Sequence, residues 1–137
     1  GEGRELYSLQ AQAKELGISN KVSFLGFQSN PYSYMRKCDL MVLTSRYEGF
    51  PNVLLEAGAC GKATVAFDAP GGTSEIISDG NNGFLVPYGD LEEIANKIRL
   101  ASKTSFNPKL VSDYTENLYS LRTIIPKYNA LLVNILK

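Results

Sequence analysis

Short β-compatible apolar runs alternate with amphipathic helical segments along this chain. Val22, Phe24 and Leu25 precede Gly26, Leu40 to Thr44 precedes Ser45-Arg46, Thr64 to Phe67 precedes Gly71-Gly72, and Phe84 to Val86 precedes Pro87. Strands this short, separated by helices, predict an α/β fold with a Rossmann-like parallel sheet flanked by helices. The continuous run Leu40 to Thr44 predicts a strand buried on both faces. In open sheets of this kind ligands bind at the carboxyl ends of the strands. The segments Gly26 to Pro31, Ser45 to Asn52, Asp68 to Ser74 and Pro87 to Asp90 therefore carry the functional question.

The helices follow from periodicity and punctuation. Leu6, Leu9, Ala13 and Leu16 stop at Gly17, predicting a helix over 4–16. Pro31 to Cys38 fits a short helix. Pro51-Asn52 opens another through Ala59, with Gly61 as its stop, and Glu75 to Ser78 forms one turn after the Gly71-Gly72 turn. Asp90 with Glu93 resembles a capping box, and Leu91, Ile94, Ala95, Ile98 and Ala101 keep one apolar face to residue 103. Asn107-Pro108 starts a short helix to Asp113. Leu121, Ile124, Ile125, Tyr128, Leu131, Leu132 and Ile135 define a long final helix, which Pro126 should kink at a cost of about 3 kcal/mol.

Composition excludes several function classes. A chain of 137 residues with 44% apolar content can fill the core of one domain. Fourteen basic and fourteen acidic residues balance, leaving no footprint for a nucleic-acid backbone or an anionic surface. The absence of His removes Ser-His-Asp and Cys-His catalysis within the chain, His-based zinc sites and imidazole switching. Cys38 and Cys60 match no metal or redox spacing and read as reduced, buried thiols of a cytosolic protein. No apolar run approaches the roughly 20 residues of a membrane span.

The segment after the Leu40 to Thr44 run holds the chemistry. Gly49 permits close backbone approach, Pro51 sits at the helix start, and the first-turn amides of Asn52, Val53 and Leu54 lack carbonyl partners within the helix. With the positive end of the helix dipole they suit a diphosphate, although every helix has such an end. Glu48 lies in the loop and Glu56 about one turn inside the helix. Each carboxylate can accept two hydrogen bonds from a vicinal diol. Both also read as solvated surface charges, so spacing alone leaves the two alternatives open.

Glu48 to Glu56 is a Glu-x7-Glu motif inside Glu-Gly-Phe-Pro-x-x-Leu-Leu-Glu-Ala. It resembles the donor-binding signature in the carboxyl-terminal domain of retaining GT-B glycosyltransferases, the glycogen-synthase-like group 1 or family 4 class. Gly1-x-Gly3, Phe24-Leu25-Gly26, Cys38-Asp39-Leu40, Thr44-Ser45, Gly71-Gly72-x-x-Glu75-Ile76-Ile77, and Gly83-Phe84-Leu85-Val86-Pro87 with Asp90 extend the resemblance in order along nearly the whole chain. It implies a nucleotide-diphospho-sugar donor and an acceptor that is a glycan, a lipid or a small molecule. Glu48, as the catalytic candidate, would hold hydroxyls of the transferred sugar. Gly49, Phe50 and the amides of Asn52, Val53 and Leu54 would sit against sugar and diphosphate, and Glu56 would bind the ribose.

Gly26 and Phe27 would lie near the base, with Phe27 reading equally as a core or surface aromatic. Gly71 and Gly72 would approach the sugar, or form a simple tight turn, and Glu75 fits the pattern but also serves as loop bracing. The resemblance places residues 1–117 in a partial nucleotide-sugar-binding domain and 118–137 in a helix crossing to an amino-terminal domain. A longer, cytoplasmic protein is implied, with peripheral association at the inner face of a membrane, and bacterial cell-surface polysaccharide assembly is a common destination of the class.

The departures matter as well. The class neutralises the diphosphate with a Gly-Arg loop and a following Lys, and nothing here corresponds to them. That unit would precede Gly1, as would the acceptor domain. In the family strand order 3-2-1-4-5-6 the missing strands would lie between those at Val22 and Leu40. No Asp-x-Asp motif occurs, so neither a metal nor a cofactor is expected. Competing readings are a non-catalytic nucleotide-binding or assembly domain and a flavodoxin-like phosphate-cofactor module, the latter lacking a Ser/Thr-rich loop after its first strand.

Overall fold

The computed structural model describes residues 3–136. The Gly1-x-Gly3 match to the end of a preceding strand therefore falls partly outside the described residues. Two compact units divide the chain, residues 1–31 and residues 32–137.

In the first unit, α1 (Leu6–Glu15) ends as the glycine predicts. Gly17 takes φ +67° and lets the Ile18 amide turn back to the Ala13 carbonyl at 2.9 Å. A 3₁₀ turn, Ser19–Lys21, follows. The expected strand at Val22 to Leu25 does not form. Val22 is extended (φ −117°, ψ 123°), but the segment joins no sheet among the described residues. Extended backbone becomes a strand only when a neighbour supplies ladder hydrogen bonds, and apolar side chains alone cannot provide them.

The second unit is built on a parallel sheet in the order β1 (Met41–Leu43), β2 (Thr64–Asp68), β3 (Gly83–Pro87). Its register pairs Met41 with Thr64, Leu43 with Ala66, Thr64 with Gly83 and Asp68 with Pro87. Side chains alternate across it. Val65, Phe67, Phe84 and Val86 pack under Ile94 and Ala101 of α5 (Leu91–Ala101). On the other face Ala66 meets Leu54 of α3 (Asn52–Ala59), Ile76 of α4 (Thr73–Ile76) and Ile77 just beyond it. The first of these helices is stapled as expected, with Asp90 Oδ1 accepting from the Glu93 amide at 2.9 Å.

Several expectations are corrected. Burial of the Leu40 to Thr44 run on both faces fails at Val42, which is 37% exposed. Val42 registers with Val65 on the α5 face, but β1 is an edge strand of the described sheet and α5 packs over β2 and β3. Cys38 and Cys60 are half-buried thiols, Cys38 Sγ donating to the Met35 carbonyl at 3.1 Å. The helix in Pro31 to Cys38 contracts to α2 (Tyr32–Met35). The turn placed at Glu75 to Ser78 begins earlier, at Thr73, because Gly72 serves as its N-cap.

The helix begun by Asn107-Pro108 runs beyond Asp113, as α6 (Pro108–Tyr119). Asn107 Oδ1 accepts from the Lys109 and Leu110 amides at 2.9 and 3.3 Å, and Val111, Thr115 and Tyr119 continue one inward face at four-residue intervals. α6 crosses α3 closely. A Cβ at Gly58 would collide with Thr115 Oγ1, and one at Gly61 would meet the Pro108 carbonyl at 2.7 Å. The final helix, α7 (Leu121–Ile135), passes through Pro126 and buries no residue. Leu121, Ile125, Leu132 and Ile135 stand 74, 50, 53 and 69% exposed.

Candidate functional site

The site is assembled where β1 gives way to α3. Glu48 is half-buried, and its amide donates to the Pro70 carbonyl at 3.1 Å. One residue further on the first loop and two on the second, the Gly72 amide donates to the Gly49 carbonyl, also at 3.1 Å. The loop after β1 is thus stitched to the loop after β2. Gly71 takes φ +123°, and a Cβ there would collide with the Glu48 carbonyl oxygen; a Cβ at Gly72 would come within 2.5 Å of Phe50 Cδ2. The diglycine is accordingly more than a tight turn. It is the place where two backbones touch, and only glycine leaves the room.

Phe50 lies over this junction, its ring 5.9 Å from that of Tyr119 and tilted by 57°. Pro51 is buried as the N-cap of α3, without a side-chain cap. The expectation that three first-turn amides stay open is corrected for Leu54, which donates to the Pro51 carbonyl at 2.9 Å. A carbonyl just outside the helix closes the first turn. Asn52 and Val53 retain amides with no acceptor among the described residues, so the start of α3 offers two open donors rather than three.

Glu56, on the next turn, is half-buried and lines a groove of about 410 Å³ with Tyr32, Leu55 and Ala59 on one side and Thr115, Glu116 and Tyr119 on the other. The two motif carboxylates thus occupy different surroundings, a stitched loop and a groove wall. Tyr119 anchors that wall: its hydroxyl donates to the Glu75 carbonyl at 2.6 Å. Burial, then the neighbouring Tyr114 and Glu75, hold its phenol above the ordinary tyrosine value.

Gly26 and Phe27 belong to the first unit. Gly26 takes φ +64° and Phe27 is 78% exposed, which makes Phe27 a surface aromatic within that unit. The contacts that join Glu48, Gly49, Phe50, Gly71 and Gly72 lie wholly within residues 32–137. Among the described residues no group of three or more His, Cys, Asp or Glu side chains is arranged to hold a metal. No helix there is long and apolar enough to cross a membrane. The sequence reading missed Tyr119, because it ended α6 at Asp113. The four-residue spacing of Val111, Thr115 and Tyr119 was the available signal.

The family model for glycosyl transferases group 1 matches residues 1–120. The chain belongs to this family. Among curated relatives, it is 31% identical over 141 residues to the N-acetyl-alpha-D-glucosaminyl L-malate synthase of Bacillus anthracis, covering 100% of this chain and 37% of that protein. It is 45% identical over 86 residues to the Campylobacter jejuni N-acetylgalactosamine-N,N'-diacetylbacillosaminyl-diphospho-undecaprenol 4-alpha-N-acetylgalactosaminyltransferase, covering 63% and 24%. Among solved structures, the lipopolysaccharide outer core galactosyltransferase WaaB superposes with a TM-score of 0.86 at 26% identity, covering 96% of this chain and 39% of that one. Anabaena Alr3699/HepE in complex with UDP gives 0.83 at 34% identity, covering 94% and 36%. This group 1 glycosyltransferase domain therefore has the GT-B Rossmann-like fold and spans well under half the length of these relatives.

Proposed function

We propose that the domain binds a nucleotide-diphospho-sugar and supports metal-independent sugar transfer with retention of configuration, as the carboxyl-terminal part of a longer enzyme. The observation that carries this reading is the run from the stitched Glu48 loop, through the open Asn52 and Val53 amides, to Glu56 one turn inside α3 on the groove wall. The diphosphate sits at the Asn52 and Val53 amides, where preorganised donors and the helix dipole stabilise charge on the leaving group. Glu48, held by its stitched backbone, orients the sugar, with Gly49, Phe50 and the Gly71-Gly72 turn beside it. Glu56 receives the ribose hydroxyls from the groove side. HepE, crystallised with UDP-glucose and 33% identical over 98% of this chain, supports a nucleotide sugar as the ligand class.

The acceptor is a glycan, a lipid or a small molecule bound by an amino-terminal domain, and the cations that neutralise the diphosphate come from a segment preceding Gly1. Peripheral membrane association belongs to that longer protein. On its own the 137-residue chain is inactive in transfer. Calorimetric titration of the longer enzyme with a nucleoside diphosphate and with nucleotide sugars, in EDTA, tests the reading. Binding that survives chelation, followed by transfer with the anomeric configuration retained by NMR, is the expected result. Absence of binding, or a strict metal requirement, overturns it.

A further inference from the structure

Two loops carry the sugar-side contacts proposed above, and one residue outside both touches each of them. Tyr119, the last residue of α6, places its ring 5.9 Å from Phe50 on the first loop. Its hydroxyl donates to the carbonyl of Glu75 at 2.6 Å, and Glu75 follows the diglycine of the second loop. The loops are themselves joined through Glu48 to Pro70 and Gly72 to Gly49. Tyr119 therefore closes a circuit: α6 to Phe50, Phe50 to the Glu48 loop, that loop to the diglycine turn, and the turn to α6 through Glu75. Its own seat is fixed by α6 lying tightly on α3, with Thr115 against Gly58.

We propose that Tyr119 is a positioning residue of the donor site, its ring seating Phe50 and its hydroxyl holding the diglycine turn, so that Glu48 meets the transferred sugar in register. The proposal rests on the donor-site reading for its kinetic consequence, but its structural half stands apart from any ligand. An ordinary surface tyrosine at a helix end would satisfy its hydroxyl with water. This one donates instead to a carbonyl 44 positions away in sequence, which ties the end of α6 to the segment that follows the diglycine.

The test uses Tyr119→Phe, which keeps the ring and loses the hydroxyl, and Tyr119→Leu, which loses both. Amide hydrogen exchange on the 137-residue chain without ligand is the first arm. Tyr119→Phe should speed exchange at the Glu48 and Gly72 amides by about three- to tenfold, the worth of one hydrogen bond, with the β2–β3 ladder unchanged. Tyr119→Leu should speed both amides further. Kinetics of the longer enzyme is the second arm. Tyr119→Phe should lower kcat by about three- to tenfold, and because Tyr119 also lines the groove assigned to the ribose, any loss of nucleoside diphosphate affinity should be smaller than the loss in kcat.

Unchanged exchange at Glu48 and Gly72 in Tyr119→Phe overturns the proposal whatever the kinetics. Faster exchange with unaltered kcat overturns its functional half. If wild type binds no nucleotide sugar while the exchange result holds, the donor-site reading has failed and the bracing by Tyr119 has not.

Discussion

Gly71→Ala isolates the contact between the two loops. At φ +123° an alanine is strained, and its methyl would be driven into the Glu48 carbonyl oxygen, a backbone atom that cannot swing aside as a side chain would. Gly80 supplies the control. It also has positive φ, +78°, but a Cβ there meets nothing within 4 Å, so Gly80→Ala should cost only conformational strain, about 1–2 kcal/mol. Gly71→Ala adds the loss of the Glu48–Pro70 and Gly72–Gly49 hydrogen bonds, each about 0.5–1.5 kcal/mol, for a total of about 2–5 kcal/mol. At about 3 °C per kcal/mol for a chain of intermediate size, the control should melt about 3–6 °C below wild type and Gly71→Ala about 6–15 °C below. Differential scanning calorimetry of the three proteins, with exchange at Glu48 and Gly72 measured beside it, decides the matter. A Gly71→Ala protein no less stable than Gly80→Ala, with wild-type exchange at those two amides, would show that the diglycine is a turn and nothing more.

Three further outcomes are expected. In the longer enzyme Glu56→Ala should weaken nucleoside diphosphate binding by roughly ten- to a hundredfold, whereas Glu48→Ala should leave it nearly unchanged and depress turnover; equal losses in both variants, or none in either, would return the pair to the role of solvated surface charges. The 137-residue chain should self-associate with rising concentration or bind an apolar dye through α7, and Ile125→Glu with Leu132→Glu should abolish this while changing stability by about 0.5 kcal/mol per site or less. Sedimentation showing a strict monomer without dye binding would count against it. Because the folded-state pKa of Tyr119 is raised, its contribution to stability is fully present below the unfolded value of 10.0 and is lost as pH climbs through the folded value; alkaline melts should show a smaller loss above pH 10 in Tyr119→Phe, and identical slopes would refute the assignment.

What could be read from sequence was what local chemistry decides. Asp90 with Glu93, Asn107 with Pro108, and the glycines at positions 17 and 61 act on backbone groups within a few residues, and all appear where they were placed. The Glu48 to Glu56 segment was legible because its loop and helix are contiguous. What needed distant partners was not. The Val22 to Leu25 segment joins no ladder, and the exposure of Val42 depends on how far α5 reaches across the sheet. The Leu54 amide is taken by a carbonyl at the helix boundary, a detail of turn geometry. The diglycine's contact with Glu48 and the link from Tyr119 to Glu75 join residues that no local pattern connects.

Gly58 and Glu56 share one turn of α3, an axial offset of about 3 Å, and so short a span of helix moves as a rigid body. A shift of about 1 Å where Gly58 meets Thr115 is therefore delivered almost whole to the groove carboxylate, more than the spread of about 0.5 Å that a hydrogen bond tolerates. Variation at Thr115 is then limited by the aim of an acid on a different helix. Steric fit at a dry helix crossing, with no ligand atom involved, would govern which substitutions on α6 a descendant of this sequence could keep.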